Sequence, residues 1–89
     1  MNIPGFYNLA RTVTKSDTVD IDIPAGLEHG PSALYIGTKG STGTAVVLLE
    51  DGTVATFVGL QAGSILPVRV TRLKSTTTDV SDVVALWQV

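Results

Sequence analysis

Residues 18–23 alternate strictly, with Val19, Ile21 and Ile23 on one side and Asp20 and Asp22 on the other. A period of two is that of a half-buried β-strand, and Pro24-Ala25-Gly26 ends it. Residues 33–37 predict a second strand and residues 44–50 a third. The third is so continuously apolar that it reads as buried on both faces, a pattern that a partner surface would explain. Asp51-Gly52 separates it from a fourth strand at residues 53–58. A two-residue Asp-Gly loop favours a type I′ turn, so the spacing predicts a β-hairpin over about residues 45–58. Residues 65–73 predict one long strand. Within it Pro67 cannot donate to a ladder, and so marks an edge, a bulge or a strand start. Residues 83–89 predict the last strand.

Between these stretches lie turns at residues 24–31 and 61–63, a glycine-rich loop at 38–43 read as flexible, and a polar loop at 76–82. Residues 1–15 have no basic stretch ahead of a continuous apolar core, so they do not read as a secretory leader. Ile3, Phe6, Leu9, Ala10 and Val13 have loose helical spacing over too short a span for a stable helix. The segment reads as an N-terminal arm that packs either on a neighbouring subunit or on its own core. Composition supports the strand pattern: 12 Val, 5 Ile and 12 Thr make up nearly a third of the 89 residues. Side chains branched at Cβ crowd a helix and pack well on a sheet. The expected fold is all-β, a small antiparallel β-sandwich or barrel of about six strands, with an arm at 1–15 and one domain at 16–89.

A chain of this size buries only roughly 60–65% of the surface its unfolded form exposes, a margin that oligomerisation would widen. With no Cys and one His, a disulfide framework, a thiolate site and a multi-His metal centre are excluded. The net charge of −2 argues against nucleic acid, and no apolar run approaches the roughly 18 residues of a membrane span. His29 could act as a base near neutrality, but it has no nucleophile motif beside it and reads as a solvated loop residue. Gly37 to Gly43 superficially suggests a phosphate loop, yet its Lys39 precedes the glycine and a strand follows it, not a helix. Asp20 and Asp22 are too few for a calcium site and read as a solvated acidic face. No cofactor or metal is expected, and no catalysis. The candidate interface residues are Phe6 and Tyr7 on the arm, Val46 and Leu48 on the doubly apolar strand, Arg69 and Arg72, and Trp87. Strand alternation sets Arg69 opposite Arg72 and Lys74, where a rim ion pair with a neighbouring subunit could form. Trp87 reads as core, or else as an interface anchor.

Several stretches carry a resemblance: Ala33-Leu-Tyr-Ile-Gly-Thr, Asp51-Gly-Thr-Val-Ala-Thr-Phe-Val, Gln61-Ala-Gly-Ser-Ile-Leu-Pro-Val-Arg-Val-Thr-Arg-Leu, and the closing Asp82-Val-Val-Ala-Leu-Trp. Together they resemble the small spike base protein family of tailed bacteriophages and gene transfer agents. Ala10-Arg-Thr-Val-Thr-Lys-Ser-Asp-Thr-Val also fits the family's usual start, so the likeness covers residues 10–87. Leu66-Pro-Val-Arg-Val-Thr-Arg and the terminal Ala-Leu-Trp are its most specific parts. The 37–43 loop is longer than usual, and residues 1–9 have no counterpart. The resemblance implies a virion structural protein on the outer surface of the capsid, assembled in the host cytoplasm. Its expected partners are the major capsid protein, a spike or fibre protein, and further copies of itself as a trimer or pentamer. The competing reading is a carbohydrate- or receptor-binding β module of a tail or fibre, which would need exposed aromatics on one face.

Overall fold

The computed structural model describes residue 7 and residues 9–87. Seven strands follow one another: β1 (Leu9–Thr12), β2 (Ala33–Tyr35), β3 (Ala45–Leu49), β4 (Val54–Phe57), β5 (Ile65–Leu66), β6 (Val70–Leu73) and β7 (Val84–Trp87). They form two antiparallel sheets, one in the order β1-β7-β2-β5 and one in the order β4-β3-β6. The all-β expectation holds, with one more strand than expected. The core lies between the sheets. Leu34, Ala85 and Trp87 come from the first sheet and Ala45, Val47, Val70 and Leu73 from the second, with Val13, Ile36, Val80 and Val83 from the connections.

The extra strand comes from Pro67. Leu66 accepts a hydrogen bond from the Val68 amide at 2.9 Å, a three-residue turn centred on the proline. The ring holds φ near the value such a turn needs. The long strand expected at 65–73 is therefore broken in two, and its halves serve different sheets: β5 pairs with β2, and β6 with β3.

Residues 18–23 are not a strand. The Ser16 hydroxyl accepts from the amides of Thr18 and Val19 at 3.2 and 2.9 Å, a local turn that competes with extended pairing. Beyond it only Ile21 is half-buried, while Val19 and Ile23 are exposed. The segment instead flanks β6, with the amides of Ser16 and Ile21 donating to the carbonyls of Leu73 and Thr71 at 2.9 Å. Part of the expected arm belongs to the sheet. Leu9 to Thr12 pair with β7 over four residues, and Val13 is buried in the core.

The hairpin is present with a different turn. Leu48 faces Val54, and the Leu49 amide donates to the Thr53 carbonyl at 2.8 Å, which leaves a three-residue loop of Glu50, Asp51 and Gly52. Gly52 alone takes positive φ, at 90°. A left-handed glycine closing a three-residue loop is the next commonest hairpin solution after the two-residue turn. The Asp51 carboxylate stays on its own side of the loop, accepting from the amide and hydroxyl of Thr53 at 3.0 and 2.6 Å.

Burial of β3 on both faces is met largely within the chain. Ala45 and Val47 point into the core and Val46 is only 9% exposed. Beyond the end of β6 the chain stays beside β3. The Lys74 amide donates to the Val46 carbonyl at 2.8 Å, the Val46 amide donates to the Thr78 hydroxyl at 2.9 Å, and the Asp79 amide donates to Thr44 at 3.0 Å.

Candidate functional site

The inner face of the three-stranded sheet carries Ala45, Val47, Ala55 and Phe57, so the strand period puts Val46, Leu48, Val54 and Thr56 on the outer face. Register sets Leu48 between Val54 on β4 and Arg72 on β6. Arg72 is not a loose cation. Its Nη2 lies 2.8 Å from Asp20 Oδ1, its Nε donates to the same oxygen at 2.9 Å, and its Nη1 donates to the Asp17 carbonyl at 3.0 Å. The accessible part of the outer face is thus an apolar pair of Val54 and Leu48, bounded by an ion pair, while Val46 beside them is covered by the chain after β6. Three of the residues singled out from sequence, Val46, Leu48 and Arg72, come together here.

The others do not join them. The register shifts between Leu48 and Leu49, so Arg72 faces Leu48 while Val70 faces Leu49, and Thr71 is the extra residue of a bulge. Upstream of it Arg69 turns to His29, with Nη1 3.1 Å from Nδ1. That Nδ1 also lies 2.8 Å from the Gly30 carbonyl. A guanidinium only donates, so a bare Nδ1 suits Arg69 and a protonated one suits Gly30. His29 is half-buried, not a solvated loop residue as expected. Trp87 is fully buried, and its indole N–H donates to the His29 carbonyl at 3.1 Å. Its interface reading gives way to the core one, because no part of the ring reaches a surface. Tyr7 is half-buried, and Phe6 lies outside the described residues.

The loop at 37–43 is tied down, contrary to the flexible loop expected. Asp79 Oδ2 accepts from the Thr42 hydroxyl at 2.6 Å, the Thr42 amide at 2.7 Å and the Ser41 hydroxyl at 3.2 Å; its Oδ1 accepts from the Thr44 amide at 2.7 Å. The Thr42 hydroxyl first, then the Thr44 and Thr42 amides, hold the carboxyl well below the ordinary carboxylate range. The amides that a phosphate would need already hold an anion belonging to the chain. Asp17 does the same for the far loop: the Thr76 hydroxyl and amide, then the Ser75 amide, lower its pKa.

A second outer face was not singled out from sequence. On the four-stranded sheet Tyr35 lies between Val84 and Ile65, with Tyr35 38% and Ile65 47% exposed. Only the pairing of β2 with both β5 and β7 assembles this row, and no local pattern announces it. Beside β1 a groove of about 420 Å³ runs between residues 11–16 and 19–22, with Arg11 and Lys15 as well as Asp20 and Asp22 on its walls.

Comparison with protein-family models and with curated proteins gives no match. Among solved structures, this chain is similar to a chain of the capsid of a native gene transfer agent (GTA) particle computed with C5 symmetry. Identity is 32% and the TM-score 0.69, over 90% of this chain and 82% of that one. This chain belongs to that capsid-particle family. The role this supports is that of a structural protein of a phage-like particle.

Proposed function

We propose that the chain is a capsid-decorating head spike base. It docks on the major capsid protein at the outer surface of a phage-like particle, supports a spike or fibre, and has no catalytic step. The observation that carries this reading is the 32% identity, over nine-tenths of the chain, to a chain of a GTA capsid. The chemistry of the loops is consistent with it. The carboxylates of Asp17, Asp51 and Asp79 are spent on hydroxyls and amides of their own chain. His29 contacts a guanidinium and a carbonyl, neither of which a general base could activate as a nucleophile. The Val54 and Leu48 pair and the Tyr35 and Ile65 row offer two separate apolar faces, which suits a small domain set between a shell and an appendage. The carbohydrate-module reading has little to build on, since Tyr35 is the one aromatic among the described residues that is exposed.

The test is direct. Purified chain is mixed with capsids assembled without it, and the particles are recovered by sedimentation. Saturable co-sedimentation, with density for the chain on the outer surface of the particle, is the expected result. Recovery of the chain wholly in the supernatant, or with tail fractions only, overturns the reading.

A further inference from the structure

The edge of a sheet is a row of unmet N–H and C=O groups, and folded proteins cover or blunt such rows unless they use them. Two of the four edges here are managed. β5 is two residues long and stops at Pro67, and β6 is flanked by the amides of Ser16 and Ile21. Among the described residues, β4 and β1 are not managed in this way. β4 has no charge, no Pro and no bulge, and among the described residues no backbone group bonds to its outer side. The Leu49 amide donates to Thr53, so the ladder period turns residues 53, 55 and 57 toward β3 and leaves the amides and carbonyls of Val54 and Thr56 pointing outward. On β1 the Val13 amide donates to Val83 at 2.9 Å, so Leu9 and Arg11 face β7, while Ala10 and Thr12 point outward. Among the described residues the outward carbonyl of Ala10 has one partner, the guanidinium of the next residue, with Arg11 Nη1 at 3.0 Å.

We propose that the β4 edge of one copy pairs antiparallel with the β1 edge of a second copy, head to tail, with Val54 opposite Thr12 and Thr56 opposite Ala10. This rests on the reading of the chain as a self-associating particle component and names the surface that joins the copies. Both edges are four residues long, and in this register every outward amide meets an outward carbonyl. Side-chain faces agree as well, since Val54 and Thr56 on the outer face of one sheet continue into the exposed Thr12 and Ala10 of the other. Charge selects the register. It carries the acidic tip, Glu50 and Asp51, toward Lys15 beyond β1, and the Thr56 amide takes the Ala10 carbonyl in place of the Arg11 guanidinium. A slip of two residues one way sets Asp51 against Asp17, and a slip the other way leaves Thr12 unmet. Each copy contributes a different edge, so the contact is heterologous and closes into a ring when the rotation between copies permits.

The absence of native cysteine makes the test clean. Arg11 and Ala55 would stand opposite each other at a non-hydrogen-bonded position, with Cα atoms about 4.5 Å apart, within disulfide range. Arg11→Cys and Ala55→Cys are made as separate variants and mildly oxidised alone and mixed. The expected result is a covalent dimer, one chain of each, in the mixture only. A dimer from Ala55→Cys alone would mean that β4 pairs with β4 and overturns the proposal. So does a mixture that stays uncrosslinked, whether or not the chain docks on capsids, since docking tests the function reading separately. Thr56→Pro removes an outward amide that the fold does not use. It is expected to keep the thermal midpoint while weakening self-association at least tenfold by sedimentation, and undiminished self-association would refute the pairing.

Discussion

Gly40 and Gly52 both hold positive φ, at 73° and 90°, yet they answer different needs. A Cβ on Gly52 would meet nothing within 4 Å, so Gly52→Ala carries only the left-handed backbone cost, about 1–2 kcal/mol. A Cβ on Gly40 would also run into the Asp79 carbonyl at the point where that residue clasps the loop. Gly40→Ala is therefore expected to lower stability by clearly more than Gly52→Ala, read as the difference between their urea midpoints at equal slope. Trp87 and His29 divide in the same manner. Trp87 is wholly buried, and Trp87→Ala is expected to cost about 3–5 kcal/mol, a large part of a small domain's stability. His29 holds that ring through its backbone carbonyl and not its imidazole. His29→Ala should therefore stay within about 1 kcal/mol of the native chain in denaturant titration, with Trp87 fluorescence unchanged.

The elements that follow from local pattern are those where turn residues and branched side chains agree: the hairpin of β3 and β4, the strand at Ala33 and the last strand, of which residues 88 and 89 lie outside the described part. Only the hairpin joins strands close in sequence; the partners of the other two are set by the fold. What escaped was set at long range. The alternation of Val19, Ile21 and Ile23 is a flawless strand pattern, but Arg72 draws in Asp20 and the carbonyl of Asp17 across more than fifty residues, and the chain bends at Ser16 instead. Pro67 announced an irregularity without saying that the chain changes sheets there. Of the candidate surface, Val46 and Leu48 were legible from an apolar run. Arg72 beside them and the row through Tyr35 depended on register, which a bulge of one residue resets. The Arg72 pair holds this segment with little net energy, since Asp20 is 61% exposed. Arg72→Met is expected to lower stability by less than about 1 kcal/mol. It should also speed amide exchange at Ile21 relative to Val47, and equal exchange at both would remove the ion pair's role in seating residues 16–21.

Across the whole molecule three aspartates close three separate loops: Asp51 the hairpin, Asp79 the glycine-rich loop and Asp17 the turn after β6. In each the threonine hydroxyl that donates to the carboxylate is the largest cause of a pKa below the ordinary 3.8, with backbone amides next. All three shifts have the same sign, so they add in the pH dependence of folding. Between its lowered native pKa and the ordinary value, each carboxyl binds protons less readily folded than unfolded, and stability rises with pH there. The contribution is complete above the unfolded value near 3.8 and drains away as the pH falls through the lowered native values. The thermal midpoint is therefore expected to be flat from about pH 7 to about pH 5 as far as these groups are concerned, and to fall increasingly below about pH 4. Asp79 has the most donors and the strongest shift, so Asp79→Asn should lower the midpoint at neutral pH and flatten the acid fall more than Asp51→Asn does. Calorimetry of the native chain and the two variants across this range checks both parts. An acid fall in Asp79→Asn as steep as in the native chain would mean that the loop at 37–43 is held by its glycine packing and not by the carboxylate.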